Sequence, residues 1–154
     1  MPSDVRARPS GLVQARLTPM QRVAICFAAG VIGALAVVTF SHILFQLGIS
    51  AALGVKAPAS LRSPDIYKPL FWGGLWGIPF GLLIERAWSR LYLWGLLYFL
   101  APVLALFLFF LPMAGAGYFG LKQGPTFTLY LLLVNLPFGI VTALAARAIM
   151  GRTL

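Results

Sequence analysis

One histidine, one cysteine and three carboxylates are all that this 154-residue chain offers to acid–base, nucleophilic or metal chemistry. A haem needs axial ligands and a metal site needs several His, Cys or carboxylate donors, which a lone His42 and a lone Cys26 do not supply. Disulfide exchange needs a second thiol. Ser41 directly precedes His42, and adjacent helical residues do not face each other, so the two form no nucleophile–base dyad. Asp4, Asp65 and Glu85 fall in three separate stretches, which leaves no carboxylate pair. The chain is therefore expected to be non-enzymatic, with no catalytic residue, no cofactor and no metal ion; an enzyme would need a site shared between two copies.

Thr39, His42 and Gln46 recur at i, i+3 and i+7 and so share one side of a helix. An ionisable group within a membrane can serve as a proton or ligand site, and this polar stripe would line a small oligomeric permease or channel. The competing reading is a neutral, hydrogen-bonded His42 close to the outer interface. Asn135 lies in the middle of another apolar run, where an unpaired amide is costly. It is expected to face a neighbouring helix and to satisfy the carbonyl that Pro137 frees. Glu85, Arg86 and Arg90 read as solvated surface charges.

Gly73, Gly77 and Gly81 stand at four-residue spacing within Phe71-Trp72-Gly73-Gly74-Leu75-Trp76-Gly77-Ile78-Pro79-Phe80-Gly81. This doubled small-xxx-small pattern is a glycine zipper. Little hydrophobic drive exists between helices in lipid, so association depends on the backbone contact that glycine permits. These glycines, with Asn135, are the expected helix-packing residues.

The elements that carry these residues follow from composition. With 60% hydrophobic and 10% charged residues, and four apolar stretches near bilayer length, the expected fold is all-α: a polytopic membrane protein, a bundle of four transmembrane helices. Residues 1–17 read as a disordered basic cytoplasmic tail and 18–150 as the membrane domain, with spans at about 23–47, 69–86, 91–111 and 126–146. Thr18, Pro19 and Gln21 form a helix-start signature with a capping box. The first run is too long for a signal peptide, whose apolar region is ~7–15 residues.

The second span is short, ~24 Å of uncharged helix against a ~30 Å hydrocarbon core. Snorkelling of Lys68 and Arg86 extends it, while a broken or re-entrant helix is the alternative. No Gly or Pro separates Leu82 from Trp94, so propensity alone would carry one helix through Glu85, Arg86 and Arg90. Each charge at the bilayer centre costs ~2.5–3.5 kcal/mol or more. A turn is therefore expected at 87–90, with Ser89 as N-cap, followed by a span kinked at Pro102 and a loop over 112–125.

The net charge of +9 sits at the ends of the apolar stretches, which favours lipid headgroups over nucleic acid. With an even number of spans, eight Arg share one side (Arg6, Arg8, Arg16, Arg22, Arg86, Arg90, Arg147, Arg152) and Lys56, Arg62, Lys68 and Lys122 the other. The positive-inside rule then places both termini in the cytoplasm. Membrane lipids are the expected partners, together with a second copy or another membrane protein.

The Phe71-Trp72-Gly73-Gly74-Leu75-Trp76-Gly77 segment follows a span with an outer-half His and a Pro-containing external loop. Over residues 30–84 it resembles a group of small four-span membrane proteins of proteobacteria. The resemblance implies an inner-membrane location and supplies no activity. The small multidrug exporters, of similar size, carry a carboxylate in their first helix. The first span here has none.

Overall fold

The computed structural model describes residues 17–151, which form helices, turns and loops and no strand. Apart from Leu17, the tail expected over 1–17 lies outside these residues. Helix α1 (Pro19–Gln46) starts at a complete capping box: the Thr18 hydroxyl accepts from the Gln21 amide and the Gln21 side chain accepts from the Thr18 amide. A short α2 (Ile49–Ala52) follows, then α3 (Tyr67–Ala87), a 3-10 turn (Trp88–Arg90), α4 (Leu91–Tyr98) and α5 (Leu100–Ala105). A π-helical stretch (Leu106–Phe110), α6 (Leu111–Met113), a 3-10 segment (Tyr118–Gln123) and α7 (Pro125–Met150) complete the order.

Three segments are long and apolar enough to cross a membrane: Pro19–Gln46, Tyr67–Met113 and Pro125–Met150. The middle one is not straight. The Tyr98 hydroxyl donates to the Trp76 carbonyl at 2.6 Å across 22 residues, which a continuous helix would hold ~33 Å apart. Phe80 and Tyr98 rings lie 5.0 Å apart, and Trp72 and Phe110 rings 4.9 Å apart. The chain therefore doubles back at Trp88–Arg90, where Arg90 leaves helical geometry (φ −128°, ψ 38°). Ser89 makes no capping bond, contrary to expectation. Arg90 occupies the N-cap position of α4 instead, and the turn is made by backbone geometry.

α3 itself is unbroken through its glycines and Pro79. Because it packs on α1 along its length, lost backbone bonds are offset by close contact, and no re-entrant break occurs. The arm that returns from the turn is less regular. It breaks at Phe99, ahead of Pro102, and then widens, so that the Leu111 amide reaches the Leu106 carbonyl five residues back. The interruption precedes Pro102, and the π stretch lies between Pro102 and Pro112, two residues that lack an amide donor.

α1 is central. It runs antiparallel to α3 on one side and to α7 on the other, and α4 packs antiparallel against α7. A core cluster at one end unites Cys26, Phe80, Ile84, Leu91, Ala143, Ala146 and Met150; a second, at the other end, holds Leu44, Tyr130 and Val134. α7 runs on past the expected end at 146 because Met150 is buried in the first cluster. Within the expected 112–125 loop, the 3-10 segment places Phe119 at φ 57°, with its ring 5.4 Å from that of Phe107.

Candidate functional site

Gly73, Gly77 and Gly81 are buried against α1. A methyl group built on Gly77 would overlap the Cys26 carbonyl, one on Gly73 would come 2.5 Å from the Ala34 Cβ, and one on Gly81 3.0 Å from the Arg22 carbonyl. α1 answers with its own small residues, for Gly30 meets the Gly73 carbonyl at the same crossing. The glycine face is thus filled within the chain. It leaves no backbone groove there for a second copy.

Two further close approaches were not singled out from the sequence. Gly33 of α1 meets Phe138 and Thr142 of α7, and Gly95 of α4 meets Gly139 and Ala143 of α7. The signal for the first was present in Ala29-Gly30 and Gly33-Ala34, small pairs one turn apart. Gly95 stands alone between Trp94 and Leu96, without periodicity to mark it.

The polar stripe divides. Thr39 and Gln46 are exposed, whereas His42 is half-buried and its Nε2 donates to the Ala59 carbonyl at 3.0 Å. Beside it, the buried Ser41 hydroxyl donates to the Val38 carbonyl at 2.7 Å and accepts the Ala59 amide at 3.1 Å. Ser41 and His42, adjacent and no dyad, together clip both backbone groups of one loop residue. Ser41→Ala should release the Ala59 amide at a cost of ~1 kcal/mol. Hydrogen exchange at Ala59 should accelerate about fivefold, with protection of the α1 interior unchanged.

Arg22 pairs with Glu85 across the α1–α3 contact, with Arg22 only 12% and Glu85 60% exposed. Glu85 is therefore tied to another helix as well as facing solvent, which proximity to Arg86 in sequence did not suggest. At the same end Arg147 lies 5.2 Å over the Tyr92 ring.

A cavity of about 240 Å³ opens among α1, α3, α7 and the returning arm. α3 contributes Pro69, Trp72, Gly73 and Trp76, and the arm contributes Pro102, Leu106 and Phe110. Ala34, Val37, Asn135 and Phe138 form the remaining wall. Asn135 does reach a space shared with other helices. Its amide, however, donates to the Leu131 carbonyl at 2.8 Å, four residues back, and not to the carbonyl freed by Pro137. The i−4 carbonyl lies directly beneath the side chain on its own helix, so the short local bond wins. Thr39, His42 and Gln46 line none of this cavity. Among the described residues no three His, Cys, Asp or Glu side chains are grouped to hold a metal ion.

No protein-family model, curated protein or solved structure matches this chain.

Proposed function

We propose that the chain is a four-crossing integral protein of the bacterial inner membrane, with both termini in the cytoplasm, that works without covalent chemistry through contacts inside the bilayer. The observation that carries this reading is the Tyr98–Trp76 hydrogen bond, which joins α3 to the arm returning from the turn. Doubling back supports two crossings from Tyr67–Met113, and with α1 and α7 these make a four-helix bundle. Arg22, Glu85, Arg86, Arg90 and Arg147 then collect at one end, clear of the hydrocarbon.

Among the described residues the two ends carry four Lys or Arg each. The eight-to-four excess comes from Arg6, Arg8, Arg16 and Arg152, so the orientation rests on the two chain ends. Since the glycine face is internal, association with another copy or a membrane partner would use the lipid-facing side of the arm, where Trp94, Leu97, Leu104 and Phe109 are exposed. A permease built on Thr39, His42 and Gln46 is not favoured, because His42 holds the outer loop.

The reading is tested by single cysteines in a Cys26→Ala background, Cys26 being buried. Ser60 and Ser89 are both exposed. A membrane-impermeant maleimide added to intact spheroplasts should label Ser60→Cys and leave Ser89→Cys untouched until the membrane is opened. Labelling of Ser89→Cys alone would reverse the orientation, labelling of both from outside would mean insertion in both orientations, and labelling of neither would remove the four-crossing arrangement.

A further inference from the structure

Trp72 and Phe110, whose rings are in contact, both line the cavity, and so does Trp76, whose carbonyl accepts the Tyr98 hydroxyl. Trp72, on the α3 wall that faces the arm, lines the cavity and is still 45% exposed. Asn135 sits near the midpoint of α7, which places the space at the depth of the lipid tails on the four-crossing reading. The arm deviates from α-helix on this wall: Leu106 and Phe110 begin and end the π stretch. Such insertions re-aim side chains and recur at binding sites.

The lining decides what can enter. It holds no Lys, Arg, His, Asp or Glu, so a charged or zwitterionic headgroup would be stripped of water without a counter-charge. It also holds no nucleophile or acid–base pair, so an occupant is bound and not transformed. An apolar cavity of about 150 Å³ suffices for benzene, and drug-sized molecules need about 300 Å³ or more. At about 240 Å³ this one takes a single substituted ring, with any attached chain left in the bilayer.

Its polar content is small and specific. The Asn135 Nδ2 is committed to Leu131, which leaves Oδ1 as the amide's acceptor, and no described residue donates to it. Trp72 and Trp76, which also line the cavity, each carry one indole N–H. A ligand hydroxyl can both donate, as to the Asn135 Oδ1, and accept. Hydrocarbon tails can do neither.

We propose that this cavity is a binding site for a neutral, lipid-soluble molecule bearing a hydroxylated ring, a phenol or quinol in chemical class, whose hydroxyl donates to the Asn135 Oδ1. The proposal rests on the membrane-embedded reading, but the maleimide experiment tests that reading separately.

Trp72 and Trp76 are built-in reporters, and Trp88→Phe/Trp94→Phe removes the other two of the four tryptophans. In dioleoylphosphatidylcholine vesicles, a brominated alkylphenol should quench this protein saturably, at about tenfold lower concentration than the matching brominated alkylbenzene. Tenfold corresponds to one hydrogen bond made to an otherwise empty acceptor. Asn135→Leu should erase the difference between the two probes, and Val37→Phe, which fills the cavity, should abolish saturation for both. Thermal unfolding in detergent checks that each variant is folded. The comparison on the parent decides the matter even if neither variant folds. Equal affinity for both probes would overturn recognition of the hydroxyl. Quenching that never saturates, or that brominated phospholipid tails match at the same mole fraction, would overturn the site.

Discussion

Gly77→Ala should destabilise the protein by about 2 kcal/mol, although alanine is the better helix former. The added methyl meets the Cys26 carbonyl and lies 3.0 Å from the Phe27 Cα, both backbone atoms of a packed helix. A backbone neighbour cannot rotate away as a side-chain tip can, so α1 and α3 must separate. Overpacking costs ~1–3 kcal/mol, and the site belongs at the upper end of that range. Relief of glycine's helix penalty returns only ~0.5–1 kcal/mol. Leu82→Ala, at a position 64% exposed on the same helix, should change stability by less than about 0.5 kcal/mol. Reversible unfolding in mixed micelles measures both. If Gly77→Ala were neutral or stabilising, the close α1–α3 approach would not exist in the membrane.

Gly139→Ala should cost a similar ~2 kcal/mol at a different interface. Its methyl would overlap the Gly95 carbonyl and stand 3.0 Å from the Phe99 amide nitrogen. The strain falls between α4 and α7, where the arm is held to the rest of the molecule, and Arg147 over Tyr92 lies close by. Gly77 and Gly139 share no partner, so the costs should add to about 4 kcal/mol within ~0.5 kcal/mol. Release of the arm also opens the wall formed by Leu106 and Phe110. A double variant much less destabilised than the sum would mean that the two interfaces open as one unit.

What the sequence revealed, it revealed where one physical rule dominated. The capping box at Thr18–Gln21 is local chemistry, and the structure repeats it. Charge at Glu85, Arg86 and Arg90 is incompatible with the bilayer centre, and the chain doubles back there despite uninterrupted helix propensity. Gly73, Gly77 and Gly81 were legible as a packing face because spacing alone defines it. Their partner was not legible, since a small-residue face fits a second copy as well as another helix of the same chain.

The rest depended on which segments meet. Gly95 carries no periodic signal, and its role follows only from its position opposite Gly139. The cavity draws residues from Ala34 to Phe138, and no local pattern reports such a gathering. His42 reads from the sequence either as a membrane-embedded titratable group or as a hydrogen-bonded structural one, and its partner, the Ala59 carbonyl 17 residues on, belongs to a loop that no helical periodicity reports. Asn135 was recognisable as a residue that needs a partner, yet the choice between Leu131 and the carbonyl freed by Pro137 is one of rotamer geometry.

The proposed bundle and its orientation, and the cavity with them, depend on Tyr67–Met113 folding back on itself. Phe71 and Phe109 are exposed, at 57% and 63%, and neighbour the touching Trp72–Phe110 pair. Spin labels on cysteines at these two positions, in the Cys26→Ala background, can be measured by pulsed electron resonance in lipid nanodiscs. Packed helices have axes ~8–10 Å apart, so with the label arms the folded-back chain should give a distance below about 25 Å. A continuous helix would hold the same two positions about 57 Å apart, and a distribution centred there would contradict the proposed four-crossing arrangement.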